Sequence, residues 1–435
     1  MLADLHVLRL RPYRLLLSAQ TVSLLGSAIA PVALAFAILG EPGGSASRLG
    51  LVLAARSLGQ VLFLLAGGVL ADRLPRLRLM GGSNLLACCA QGGIAAMFIM
   101  HAAPLPAVIA LSAVNGAAAA LFLPAAKGVI PQLVPAAQLQ PANALMRLSR
   151  NSTAIIGAAA GGILVAAIGP GWALAIDAAS FAVATALIAG IRAGLAGRAA
   201  TTTMLADLRE GWREFGSRSW VWLLVGQFTV VNGCFGAISV LGPLLARQYL
   251  GGAPAWGTVL SAMAVGLVAG SLVALRLRPA FPLRLAAAAT LGFLPPFFML
   301  AFRAPLWLVA ASMLLNGVCV DIFEVLWDTA LQSHIPHHAL SRISSYDALG
   351  SFVLGPLGLV IAGPVAAAIG VTATLTGAGA LLAVVSVMPL LTPAVRRLPA
   401  ARPPATPAAS PHQGQAGRPD PTPGPAATGE AAAGR

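Results

Sequence analysis

Twelve stretches of about 20 or more mostly apolar residues, separated by short polar segments, leave this chain few ways to fold. A helix rises about 1.5 Å per residue and the hydrocarbon layer of a bilayer is about 30 Å thick, so each stretch is long enough to cross it. The runs are 15–39, 49–70, 79–100, 105–125, 142–167 and 171–191, then 220–245, 256–275, 283–302, 305–331, 343–368 and 371–392. Lipid offers the backbone no hydrogen-bond partner, so spans of this length must be helical. Only 9% of residues are charged and the mean hydropathy is +0.85; a soluble domain needs about 25% charged residues to cover its surface. The sequence therefore predicts an all-α membrane protein with twelve transmembrane helices and the lipid bilayer as its solvent. Arg9, Arg11 and Arg14 before the first run imitate a secretory signal, but the run is too long for one and eleven more follow.

The formal charge is +14. Nucleic-acid binding would gather that charge in one basic patch, whereas here the arginines punctuate the apolar runs. With the N-terminus inside, the inner segments hold Arg73, Arg76, Arg78, Arg147, Arg150, Arg276, Arg278 and many others, and the outer loops hold only Arg48, Arg247 and Arg303. The bias recurs loop after loop, which predicts an even number of spans with both termini cytoplasmic. Cys88, Cys89, Cys234 and Cys319 all fall inside apolar runs, without zinc or disulfide spacing. No cofactor, metal or nucleic-acid partner is expected.

The longest internal polar segment, 192–219, divides the spans six and six. Leu205, Leu208, Trp212 and Phe215 recur there near helical spacing, which fits an interfacial helix. The Pro-, Ala-, Gly- and Thr-rich stretch 396–435 cannot bury a core and is expected to be a disordered cytoplasmic tail. The expected domains are thus bundles at 1–191 and 220–395, with the linker 192–219 and the tail 396–435. Residues 121–131 resemble 326–336 at a shift of 205, Asn143-Ala144-Leu145 resembles Asp347-Ala348-Leu349 at 204, Gly67 answers Gly270 at 203, and Ala167-Ile168-Gly169 answers Ala368-Ile369-Gly370 at 201. A nearly constant offset implies a parallel duplication: two pseudo-symmetric six-helix bundles, with a site between them, as in transporters.

After the second run comes G-G-V-L-A-D-R-L-P-R-L-R, from Gly67 to Arg78. It resembles the G-x-x-x-D-R-x-G-R-[RK] loop of the major facilitator superfamily, with Gly68, Asp72, Arg73 and Arg76 at matching positions, Pro75 in place of the second glycine and Leu77 in place of the final base. The resemblance implies that the aspartate braces neighbouring helix ends and the arginines form a gate latch; the other half has Leu275 where Asp72 would stand, so the latch is one-sided. Gly157, Gly161 and Gly162 resemble the antiporter motif G-P-x-x-G-G, with Ala158 replacing proline, and Gly355-Pro356 supplies a proline-bearing counterpart. Small residues at such spacing also serve close helix packing without antiport. The stretches 54–73, 123–135, 176–181 and 342–352 are similar to the branch holding bacterial macrolide-efflux and enterobactin-export proteins. That similarity implies a bacterial inner-membrane protein exporting a small molecule against protons, and leaves its cargo open.

Ionisable groups inside spans are costly and mark functional sites. Asp321, Glu324 and Asp328 share one helix face, an acidic stripe running from about 22 to 33 Å inward from Leu306. A cavity-facing carboxylate there could exchange a proton, while Asp328 equally fits an interfacial charge. Asp347 fits either an extension of the stripe or a cap of its own helix. Arg56 and Asp177 stand at similar depth, about 10 Å from the outer surface, and are expected to pair, as a structural tie or as a gate or cargo contact. His334, His337 and His338 fall in an inner loop and read as solvated. The expectation is proton-coupled efflux of a small hydrophobic or amphipathic compound; an importer or uniporter of the same fold and a transport-inactive sensor or scaffold are the alternatives. No nucleophile–base constellation, phosphate loop or metal spacing points to an enzyme.

Overall fold

The computed structural model describes residues 7–135, 138–191, 216, 218–335, 347, 350–351, 354 and onward to 399, without the side chains of 65–69, 71–73 and 127–128. The expected interfacial helix of the linker, the tail beyond 399, and His337 and His338 lie outside the described residues.

The chain is all-helical where described. The first six helices are α1 (Arg11–Gly40), α2 (Ala46–Arg73), α3 (Arg76–Ile99), α4 (Leu105–Leu133), α5 (Leu139–Ile168) and α6 (Pro170–Ala189). In the second set come α7 (Ser219–Leu245, continued by a π turn, Ala246–Leu250), α8 (Ala253–Ala274), α9 (Pro282–Ala301), α10 (Leu306–His334), α11 (Gly355–Ile369) and α12 (Val371–Leu391). Eleven of these are long and apolar enough to cross a membrane, and α11 is a shorter apolar helix. Asp347, Gly350 and Ser351 are also helical, so the eleventh span is described only in part against the expected 343–368. Prolines begin many of the helices, at Pro12, Pro170, Pro254 and Pro282 among others, where the missing N–H would have had no intrahelical partner anyway.

The duplication is written in the backbone. Gly169 joins α5 to α6 at φ 85°, and Gly370 joins α11 to α12 at φ 89°. His101 and Arg303, the two non-glycine residues at positive φ among those described, close the α3–α4 and α9–α10 turns with the same bonds: Ala102 N donates to Met97 O and Ala304 N to Met299 O, each 2.9 Å. Helices α4 and α10 each have 29 residues. Their C-caps, Val134 and Ile335, make equivalent bonds to Ile130 O and Leu331 O. Their true offset is therefore 201, and the match of 121–131 to 326–336 at 205 was displaced by about one turn. Residues i and i+4 share a helix face, so a one-turn slip preserves the apolar pattern that suggested it.

Two spans differ from expectation. Helix α4 runs to Leu133 rather than 125, with Pro124 and Pro131 inside it. The ninth span is broken: helix Pro282–Ala289, a 3-10 turn Thr290–Phe293, then helix Pro295–Ala301. Pro295 and Pro296 cannot donate to the preceding turn, which interrupts the ladder there. The side chain of Gln227 on α7 supports the break, its Nε2 donating to Thr290 Oγ1 at 3.0 Å.

Within the first half α2 packs on α4, α3 on α6 and α4, and α1 on α5 and α6; in the second, α8 packs on α10 and α7 on α11 and α12. Aromatic rings fill the second half: Phe228 stacks on Phe323 at 4.2 Å between centroids, and Trp220 meets Trp327 edge-on at 5.7 Å. Buried Tyr13 donates to Ala142 O at 2.7 Å and ties the start of α1 to that of α5.

Candidate functional site between the two halves

Helices α5 with α8, and α2 with α11, join the two halves. Both contacts sit at the arginine-poor end and both are made by glycine. A β-carbon at Gly162 would lie 2.6 Å from Ala253 O and 2.9 Å from Pro254 Cα, and one at Gly257 would lie 2.6 Å from Ala158 O. The second seam repeats the first: Gly363 abuts the backbone of Ala46 and Ser47, and Gly50 abuts Leu359 O. Glycines 162 and 363 are 201 positions apart, as are Ala158 and Leu359, so one arrangement has been used twice. Ser261 Oγ adds a hydrogen bond across the first seam, to Ile155 O at 3.0 Å. Backbone contact this close is what small residues permit when helices pack in lipid.

Towards the arginine-rich end the same helices turn elsewhere. Gly266 and Gly270 of α8 pack on α10 of their own half, and Arg147 and Arg150 of α5 are exposed. The halves are therefore closed on each other at one end, the arrangement required of a carrier that opens its centre to one side at a time.

Of the motif glycines, Gly157 packs on Leu25 O and Ala28 of α1 and Gly161 on the backbone of Ile29, while Gly162 serves the seam. In the repeat, Gly358 packs on Gly233 of α7 as Gly157 packs on α1. Sequence reasoning singled out the first copy and missed Gly50, Gly257, Gly358 and Gly363; an offset of 201 applied to Gly157 and Gly162 would have found the last two. The expected loop from Gly68 to Arg76 is mostly helix. Gly68, Asp72 and Arg73 lie in the last turns of α2 and Arg76 begins α3, which leaves Leu74 and Pro75 between them. The side chains of Gly68, Asp72 and Arg73 lie outside the described residues.

The acidic stripe of α10 is present, and its members differ. Asp321 is half-buried beside Gly270 of α8 and accepts a hydrogen bond from Ser271 Oγ at 2.8 Å. Glu324 and Asp328 are exposed. Asp347 does not prolong the stripe alone: Trp327 Nε1 donates to its Oδ2 at 3.0 Å and Ser351 Oγ to its Oδ1 at 3.3 Å. Thr229 and Asn232 of α7 donate to Gly350 O and Ser351 O at 2.7 and 2.9 Å, so this part of the eleventh span hangs from two neighbours by its polar groups.

Arg56 and Asp177 do not form the expected ion pair among the described residues. They act on one another electrostatically, but Asp177 is turned towards α1, where a β-carbon at Gly26 would lie 2.8 Å from its Oδ1. Asp177 is 1% exposed, and its Oδ1 has no hydrogen-bond partner among the described residues. Depth alone suggested the pairing; it says nothing about the direction in which either side chain leaves its helix.

Residues 3–412 match the profile of the family described as "Transmembrane secretion effector". The chain is 26% identical over 401 residues to the multidrug efflux pump Tap of Mycolicibacterium fortuitum, covering 89% of this chain and 97% of that one. It is 22% identical over 394 residues to macrolide efflux protein A of Streptococcus pyogenes, covering 88% and 96%. Its fold is similar to the crystal structure of the nucleoside transporter NupG, with a TM-score of 0.70 at 13% identity over 87% of this chain and 98% of that one. These likenesses make the protein a multi-pass membrane transporter and not an enzyme. With twelve apolar helices in two matched sets among the described residues and a family profile spanning nearly its whole length, the chain belongs to the transmembrane secretion effector family of the major facilitator superfamily.

Proposed function

We propose that this transporter exports a small hydrophobic or amphipathic compound by alternating access, in exchange for protons. Cargo enters between the halves from the arginine-rich side, taken as cytoplasmic with both termini on it because positive residues are retained on the inner face. The seams then part at the opposite end and release it. The observation that carries this reading is the doubled glycine seam at one end only: a two-state interface whose closed form is built from backbone contact biases readily between open and shut. The efflux names borne by the relatives support the direction. The groups proposed to take a proton or meet the cargo are Asp321, Glu324, Asp328, Asp347, Arg56 and Asp177, with Gly68, Asp72, Arg73 and Arg76 proposed as the latch at the α2–α3 junction.

The test uses everted membrane vesicles with a preset pH gradient, to which erythromycin or ethidium is added. An antiporter collapses part of the gradient on addition of a transported compound, and vesicles lacking the protein do not. A gradient left intact while either compound is demonstrably accumulated would reject proton exchange.

A further inference from the structure

Asp177 stands apart from the other carboxylates of the spans whose side chains are described. Both oxygens of Asp347 accept hydrogen bonds, Asp321 accepts one from Ser271, and Glu324 and Asp328 are exposed. Asp177 alone among them is both fully enclosed and left with an unpartnered oxygen. A carboxylate held that way in an apolar interior is strongly disfavoured unless it is neutralised by a proton or by a counter-charge.

The surroundings supply one counter-charge. Helix α6 packs on α3, α1 and α5. The titratable residues of α1 are Arg11, Tyr13 and Arg14 at its start, and those of α5 are Arg147 and Arg150 towards the arginine-rich end. Those of α3 are Arg76 and Arg78 at its start, with Cys88 and Cys89 midway. Among the described residues, Arg56 of α2 is the charge that acts on Asp177. Within three turns along that helix, on the arginine-poor side, are Ala46, Ser47 and Gly50, which make the seam with α11. The same helix thus carries the counter-charge and one face of the closure.

We propose that Asp177 is the group that carries the coupling proton, and that Arg56 is its switching partner, linking protonation to the α2–α11 seam. The inference rests on the antiport reading above and names the site at which it acts. With the seam closed, as in this structure, the Asp177 carboxyl holds its proton and Arg56 stands off. Transfer of that proton to water on the arginine-rich side breaks the O–H bond and leaves a full negative charge. The carboxylate then draws Arg56 into an ion pair, and the shift of α2 loosens the seam. A proton arriving from the opposite side re-forms the O–H bond and releases Arg56, so one proton crosses for each cycle of the pair.

Two measurements decide the matter. Dicyclohexylcarbodiimide reacts with protonated carboxyls in apolar surroundings, and peptide mapping of the treated wild-type protein locates the adduct. Label at Asp177 in preference to Asp321, Glu324 and Asp347 supports the assignment; label on the α10 carboxylates or Asp347 with Asp177 spared overturns it. In everted vesicles, Asp177→Asn is expected to lose at least tenfold of the pH-driven accumulation of erythromycin or ethidium and to make the residual transport independent of pH, with Asp177→Glu restoring pH dependence. A wild-type antiporter whose Asp177→Asn variant keeps the same pH profile overturns this inference and leaves antiport standing. Wild-type vesicles in which the compound moves no protons overturn antiport itself, while the carbodiimide map still judges the proton on Asp177. Should Asp177→Asn fail to reach the membrane, the map on wild-type protein decides.

Discussion

Gly162 of α5 lies against the backbone of Pro254 on α8, with the place for a side chain occupied by the neighbouring helix. The atoms in the way, Ala253 O and Pro254 Cα, belong to a helix backbone and cannot swing aside. Gly363 and Ser47 repeat the relation in the second seam. What lets the halves close at this end is therefore the absence of side chains at these two glycines and at Gly257 and Gly50 beside them.

A single methyl group should be enough to disturb it. Overpacking of a tight contact costs about 1–3 kcal/mol, which shifts a two-state equilibrium by roughly five- to 150-fold. Gly162→Ala is expected to raise the labelling rate of Ser261→Cys by a membrane-impermeant maleimide within that range. Gly226→Ala, on α7 with nothing within 4 Å, should leave the rate unchanged. Equal labelling in the two variants would mean that the seam does not control access.

The bond from Trp327 to Asp347 makes a different prediction. A hydrogen bond to a charged group contributes about 1.5–3 kcal/mol, and here it ties the eleventh span to α10 at 3.0 Å. Trp327→Phe keeps the ring contact with Phe323 and removes the donor. Its melting temperature in detergent is expected to fall measurably below that of Trp307→Phe, which alters a tryptophan that is 69% exposed. If the two variants melt together, Asp347 is not an anchor.

The spans were legible in the sequence because the bilayer sets their length and leaves the backbone no other structure. The ninth shows where that logic ends. Hydropathy is blind to a break inside an apolar run, and only Pro295-Pro296 betrayed it. The duplication was legible as a pattern, with a register wrong by one turn in α4 and α10, since helical periodicity scores a four-residue slip almost as well as the true alignment. The seam glycines were harder still. The chain has 47 glycines, and which of them meets a backbone from the other half is decided by tertiary placement alone. Asp177 and Arg56 were legible as rare charges at matching depth; that Asp177 faces Gly26 on α1 depends on the rotation of α6, which no residue count supplies.

The acidic stripe yields a prediction about cargo charge. If Asp321 and Glu324 face the cargo path, a cationic compound gains attraction that a less charged one of similar size does not. Two unit charges about 4 Å apart interact by about 1–4 kcal/mol between water-like and surface-like screening. Asp321→Asn and Glu324→Gln are each expected to raise the KM for ethidium at least about fivefold and to change that for a neutral macrolide analogue by less. Initial rates in everted vesicles over a range of both compounds check this. Equal changes for the two compounds would place the stripe outside the cargo path.

The last prediction separates a transporter from a scaffold. Residues 401–435 contain no Leu, Ile, Val, Phe, Trp, Tyr or Met, so the segment has too little apolar surface to build a core of its own. Its removal leaves the seams, the stripe and the buried Val395 after α12 in place. Truncation after residue 400 should therefore leave the drug resistance conferred on a susceptible deletion strain within about twofold of the full chain, the ordinary spread for a change outside a core. A scaffold that docks a partner through this segment would lose its phenotype on the same truncation, at unchanged protein level in the membrane. Resistance measured beside the membrane level of each form tells the two apart, because a transporter's output follows the amount of its helical body and a scaffold's follows the presence of its tail.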